Sequence, residues 1–304
     1  ACFSIFFICS YSLEVLIKTD GYPMKATVIV TAGAVLNCIL DYVFVFILHK
    51  GVWGAAFATG MSQLIVVILY LTHFCSKKTH MKPVRFTFSL SLAWRTVKIG
   101  LSSGITEFSA GIVIFLFNHA ILTYLNEEFI VSYTIVTYVS TIIVMSMAGI
   151  AQGIQPLVSY YYGRRMPRKY HLLLKYALCF GLVFSIAAFI ISGIIAEPLV
   201  NLFISPKLSD LRSASVGVFR TVSYSFLLCG VNIIVGGFFT AIEYPKSAMA
   251  ISLGRGFLFV AFSLRLLTAL FKGNGIWWAA VLAEGLCLTL TLALFLYYGR
   301  QARI

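Results

Sequence analysis

The chain has 304 residues, of which 60% are hydrophobic and 11% charged, with a formal net charge of +13 and a mean hydropathy of +0.95. A soluble domain sits nearer half apolar, so a single water-soluble core is excluded, and the apolar runs are too long for membrane-barrel strands of about 10 residues. The composition is that of an all-α polytopic membrane protein, because backbone groups in lipid must be satisfied within each helix.

A bilayer-spanning helix needs about 20 mostly apolar residues. In chain order the candidate spans are 1–17, 26–48, 52–74, 99–123, 130–157, 173–196, 214–241, 247–270 and 275–298. The seven cysteines are scattered, mostly through these runs, with no CxxC pair, and read as packing thiols. Lys and Arg concentrate in "KKTHMKPVR" (77–85), "GRRMPRKYHLLLK" (163–175) and the tail "GRQARI" (299–304). Alternation through the spans puts these segments on one face and "NEE" (126–128) on the other, which is the positive-inside pattern. The basic charge therefore orients the protein, with the C-terminus cytoplasmic, and leaves no nucleic-acid footprint. The expected location is the inner (plasma) membrane.

Two stretches repeat. "GYPMKATVIVTAGAVLNCILDYVFVFILHKGVWGAAFATG" (21–60) lies over "EYPKSAMAISLGRGFLFVAFSLRLLTALFKGNGIWWAAVLAEG" (243–285), pairing Pro23 with Pro245 and Gly51 with Gly275. Both units run the same way, as halves related by an axis along the membrane normal do. The spacing leads us to expect about 120 further residues, about three helices, ahead of Ala1. The expected architecture is two pseudo-symmetric six-helix bundles, of which about nine helices are present. Residues 1–75 are the last three helices of the first bundle, 76–98 a cytoplasmic linker and 99–304 the second bundle.

The ordered motifs "DGYP", "NCILDYVFVF", "GVWGAAFATGMSQ", "GIAQGIQPLVSYYYG" and "GIWWAAVLAEG" resemble those of multidrug and toxic compound extrusion (MATE) transporters, from the family's fourth helix to its twelfth. Many members carry Gly-x-Pro at the start of the seventh helix, where this chain has "GLSSG" (100–104). The resemblance implies a secondary-active antiporter. Such a protein exports small, often cationic and amphipathic compounds by alternating access, in exchange for Na⁺ or H⁺, and needs no cofactor beyond the coupling ion. It also implies a small drug-like substrate and a bilayer as partners, with the protein acting as a monomer.

Ionisable groups inside a span are costly and are functional candidates by default. Three carboxylates lie well inside spans: Asp41, Glu107 and Glu284. Asp41 follows Asn37 by four residues, so both project from one helical face. Oxygen ligands of this kind suit Na⁺, so Asp41 and Asn37 are the candidate metal ligands if coupling uses sodium. Otherwise the carboxylate takes up a proton, since burial disfavours its charged form. The resemblance implies that Asn37, Asp41 and Thr59 serve cation coupling. It likewise implies a cation- or substrate-binding role for Glu107, with Asn118 three turns along the same helix. Glu284 fits either a cation site or an ion pair with Arg255 or Arg265. Gln152 and Gln155, beside Pro156, and Asn232 complete the candidate cavity residues.

Other functions fit less well. A lipid-linked glycan flippase of the same superfamily would need basic cavity residues, and only Arg220, Arg255 and Arg265 qualify. A membrane-embedded enzyme would need a nucleophile with a base, or metal ligands, at membrane depth. The histidines sit at span ends except for His119, which stands alone, and there is no HExxH or GxSxG. The chain does not read as an enzyme.

Overall fold

The computed structural model describes residues 3–75, 79, 81 and 88–301, with no strand among them. Within the segment expected as a linker, 76–78, 80 and 82–87 lie outside the described residues. The chain divides into two compact units, Ala1–Phe88 and Ser89–Ile304.

The first unit holds α1 (Ser4–Thr19), α2 (Pro23–Asp41), a π-helical segment π1 (Tyr42–Ile47) and α3 (Gly51–Phe74). Its three helices pack around Ile17, Ala26, Ile29, Val66 and Tyr70. The Tyr70 hydroxyl donates to the carbonyl of Ala26 at 3.3 Å, which supplies the polar tip of a buried tyrosine with a partner.

The second unit holds α4 (Leu90–Tyr124), α5 (Phe129–Gly163), α6 (Pro167–Phe203), α7 (Ser209–Ser223), α8 (Phe226–Ala241), α9 (Pro245–Leu253), π2 (Gly254–Leu258), α10 (Phe259–Phe271) and α11 (Gly273–Gln301). Helices α5, α6 and α8 pack against one another, α10 and α11 form a hairpin, and α4 lies along α9 and π2. One apolar core gathers Phe117, Ile121, Phe219 and Ile276. A second, around Tyr170, Phe238, Phe239 and Tyr298, is dense in aromatic rings.

Eight helical rods among the described residues are long and apolar enough to cross a bilayer. They account for every expected span but 1–17. That span corresponds to α1, whose 16 residues rise about 24 Å. Two expected spans are not continuous α-helix. The run at 214–241 is interrupted at Tyr224 and Ser225, where Ser225 N–H turns back to the Val222 carbonyl at 2.9 Å. The Ser225 hydroxyl bonds that same carbonyl at 2.7 Å, so the backbone is satisfied locally where the α pattern lapses. The run at 247–270 is interrupted by π2.

Three helix-to-helix turns share one geometry. At Gly21-Tyr22-Pro23, Arg165-Met166-Pro167 and Glu243-Tyr244-Pro245 the first residue is left-handed, with φ of 91°, 55° and 58°. The proline opens the next helix at its first turn. In each, the second residue's N–H reaches back five residues, from Tyr22 to Ile17, Met166 to Tyr161 and Tyr244 to Phe239, at 2.8–3.1 Å. This is a Schellman exit run directly into a proline start. Only the first turn uses the glycine that such a position favours.

The paired glycines of the repeat answer to different constraints. Gly51 has φ of 55° with open space around an added Cβ, whereas a Cβ at Gly275 would overlap the backbone carbonyl of Leu267. Each copy also has a residue at positive φ shortly before its glycine, His49 at 48° and Lys272 at 50°. Gly51→Ala should therefore cost about 1–2 kcal/mol of backbone strain. Gly275→Ala should cost about 3 kcal/mol, because a backbone atom cannot swing aside. Thermal unfolding of the two purified variants should rank them in that order.

Candidate functional site

In the first unit α2 and α3 run side by side, and Asn37 Nδ2 donates to Thr59 Oγ1 across them at a long 3.4 Å. The Thr59 hydroxyl donates in turn to the Ala55 carbonyl at 2.9 Å. Gln63, one turn further along α3, faces α1 instead, accepting a 2.8 Å hydrogen bond from Ser10 Oγ. Asp41 ends α2 one turn beyond Asn37, where the helix loosens into π1. Its Oδ1 is buried and has no hydrogen-bond partner among the described residues. A buried carboxylate oxygen in that condition is costly, and π-helical insertions recur at functional positions. Sequence spacing and structure thus place Asn37, Asp41 and Thr59 in one neighbourhood. No cluster of three or more His, Cys, Asp or Glu side chains suited to a metal ion occurs among the described residues.

In the second unit three elements converge on Glu284 of α11. Arg255 Nε of π2 donates to Oε1 at 2.8 Å. Asn232 Nδ2 of α8 donates to Oε2 at 2.8 Å and to the Glu284 carbonyl at 3.1 Å. Thr291 then donates to Asn232 Oδ1 at 3.0 Å. The Arg255 and Glu284 side chains are 17% and 13% exposed, so the pair is almost wholly withdrawn from solvent. Of the two arginines the sequence offers as partners, Arg255 is the one engaged, while Arg265 is exposed on α10. Thr291, which completes this network, carries no signal in the sequence. It is one hydroxyl among several in an apolar run, and only helix packing gives it a role.

The remaining candidates are not brought together. Glu107 is exposed on α4, and 11 residues of helix put Asn118 about 16 Å further along. Asn118 is half-buried, with a buried Oδ1 that has no partner among the described residues. Gln152 is exposed and Gln155 half-buried on α5, the latter beside Gly237 of α8. Pro156 lies inside α5 without ending it.

Sequence reasoning missed one buried polar cluster in the first unit. Asp20, at the end of α1, and His73, near the end of α3, both fall at span ends in the sequence, where charged side chains are ordinarily solvated. In the structure both are buried, with His73 Nε2 2.9 Å from Asp20 Oδ2 and Lys25 Nζ 3.1 Å from His73 Nδ1. An ammonium can only donate, so Nδ1 accepts from Lys25 and the ring proton sits on Nε2, facing Asp20. The Thr79 hydroxyl donates to the same Asp20 oxygen at 2.9 Å. This network ties the turn before α2 to the end of α3 and to Thr79. At the surface of the second unit Arg95 donates to Glu243. That hydrogen bond, with the carboxylate charge beside it, raises the pKa of the guanidinium above its ordinary value.

Three comparisons bear on this arrangement. The MatE family model matches residues 105–264, more than half of the chain. The multidrug export protein MepA of Staphylococcus haemolyticus (strain JCSC1435) is 24% identical over 310 residues, covering 98% of this chain and 65% of the relative. MepA of Staphylococcus aureus (strain MSSA476) is 23% identical over 302 residues, with 97% and 65% covered. The chain thus spans about 65% of the length of these curated relatives. Among solved structures, a crystal structure of MATE in complex with MaL6 superposes with a TM-score of 0.89 at 19% identity, covering 98% of this chain and 66% of that one. The outward-facing conformation of a multidrug resistance MATE family transporter of the MOP superfamily gives 0.87 at 19% identity, with 96% and 65% covered. At these identities the likeness to solved structures is one of fold.

Proposed function

The chain belongs to the MatE family, and on that premise we propose that the protein is a secondary-active antiporter, exporting small organic compounds in exchange for Na⁺ or H⁺. The observation that carries this reading is the buried Asp41 Oδ1, which has no hydrogen-bond partner among the described residues, one turn from the Asn37–Thr59 contact. A coupling cation needs such an oxygen, held in a place where leaving it bare is unfavourable. Na⁺ would take it with the amide and hydroxyl oxygens of Asn37 and Thr59, and H⁺ would bind it directly. Either cation neutralises Asp41 and removes the penalty of a bare buried charge, which favours one packing of α2 against α3 over another. Alternating access then follows as a shift between two states that the cation and the exported compound bind unequally.

Glu284 has a different part in this reading. Both its carboxylate oxygens are taken by groups of the protein itself, so it holds α8, π2 and α11 together and does not couple the cation. The arginine beside it is neutralised in turn. An anionic lipid-linked substrate therefore finds Arg220 and Arg265 but not Arg255, which disfavours the flippase reading. The protein acts as a monomer in the plasma membrane, with its basic turns and C-terminus cytoplasmic.

The test is export of a fluorescent organic cation from cells expressing the protein, with the Na⁺ and proton gradients collapsed separately. Export should fail when one particular gradient is removed and survive loss of the other. Export indifferent to both would sink the antiport reading.

A further inference from the structure

The turn between α5 and α6 carries Arg164, Arg165, Arg168 and Lys169, with Lys175 two turns into α6, and all five are exposed. None of them forms an ion pair among the described residues, in contrast to Arg95, which is held by Glu243 in the same unit. We propose that this turn is a docking surface for the headgroups of anionic phospholipid, holding the α5–α6 hairpin to one leaflet independently of transport. Three features support that occupant.

Charge is the first. The other end of the α5–α6 pair mixes exposed Glu127, Glu128 and Asp210 with exposed Lys207 and Lys272. The α5–α6 turn presents its cations with no acidic residue among them, so an anionic leaflet is attracted more strongly to that turn. Basic clusters next to a membrane helix bind anionic lipid in this way.

Placement is the second. The Arg164 guanidinium lies 4.8 Å from the Tyr160 ring centre and the Lys169 ammonium 5.1 Å from that of Tyr161. Tyrosine settles at headgroup level, and these rings hold the two cations there. The platform beneath is fixed by the buried contact between the Tyr170 and Tyr298 hydroxyls at 3.2 Å and by edge contacts of Tyr162 on Tyr170 and of Tyr244 on Tyr298. Such a base lets four cations act as one surface, whereas a loose loop would spread them.

Backbone conformation is the third. Arg165 has φ of 55°, at the position where the equivalent turn before α2 has Gly21. A left-handed arginine is less stable there than glycine. Glu243, left-handed in the third turn, is engaged by Arg95, and Arg165 has no such partner among the described residues. Strain of this kind points to a role for the side chain outside the fold.

Two opposed effects at one residue test the proposal. In detergent-purified protein, phosphatidylglycerol should bind and raise the unfolding midpoint, and phosphatidylcholine should not. Arg165→Gly should raise the lipid-free midpoint while weakening phosphatidylglycerol binding about fivefold. The double variant R164Q/R165Q should lose about twentyfold, while K207Q/K272Q, an equal change of charge elsewhere in the unit, should bind as the parent does. The proposal is overturned if phosphatidylcholine binds equally, or if the K207Q/K272Q control loses as much. It is also overturned if free inorganic phosphate displaces the lipid, or if a DNA duplex binds the turn as tightly as the lipid does.

Discussion

Asp41→Asn should lower cation-coupled export by roughly tenfold to a hundredfold while leaving the amount of protein in the membrane unchanged. The estimate is the loss of one charged contact to the bound cation, about 1.5–3 kcal/mol, converted to a ratio. The amide matches the carboxylate in shape but takes up no proton and holds Na⁺ less tightly. Stability should move the other way. Asp41 Oδ1 is buried with no hydrogen-bond partner among the described residues, so exchanging the carboxylate for a neutral amide removes an unfavourable term, and the unfolding midpoint should hold or rise. A ligand that binds only the folded state stabilises it in proportion to its occupancy. Na⁺, or acid if coupling is to protons, should therefore raise the midpoint of the parent and not of the variant. Unimpaired export by Asp41→Asn would remove Asp41 from the mechanism.

Breaking the pair in the second unit should act on stability first. Arg255→Met leaves Glu284 buried with Asn232 as its one remaining side-chain donor among the described residues. Removing one partner of a buried ion pair costs about 3 kcal/mol or more. Replacing both members with apolar residues of similar size is often neutral, so Arg255→Met/Glu284→Met should recover most of the midpoint lost by Arg255→Met alone. That double variant should also keep its dependence on the coupling gradient. If it were as inactive as Asp41→Asn, Glu284 would be a coupling carboxylate and the division of labour between the two units would be wrong. Thermal unfolding and dye export, measured on the same preparations, separate these outcomes.

Much of the site in the first unit was legible in the sequence because it rests on local geometry. Asn37 and Asp41 are four residues apart on one helix, and the next helix returns Thr59 to the same depth after a short turn. Glu284 stood out as a charge at membrane depth, but its partner did not. Arg255 and Arg265 are ten residues apart, which on a regular helix turns their side chains about 80° from each other, and the π turn at 254–258 shifts the register between them. Nothing in the residue order says which one faces α11.

The sequence by itself determined the all-helical membrane class, the positions of nearly every span, the duplicated hairpin and the family resemblance. Each of these follows from apolar run length, charge placement or order along the chain, which are properties of neighbours in sequence. Only the tertiary structure decided that Gly51 and Gly275 do different work and that Asp20, His73 and Lys25 form one buried network. Only there, too, does the span at 214–241 break at Tyr224, and do Asn232, Arg255 and Thr291 close around Glu284 while Asp41 keeps a buried oxygen with no partner among the described residues. Those outcomes depend on which faces of separate helices meet, and burial turns a polar group that is harmless in water into one that must find a partner or a ligand.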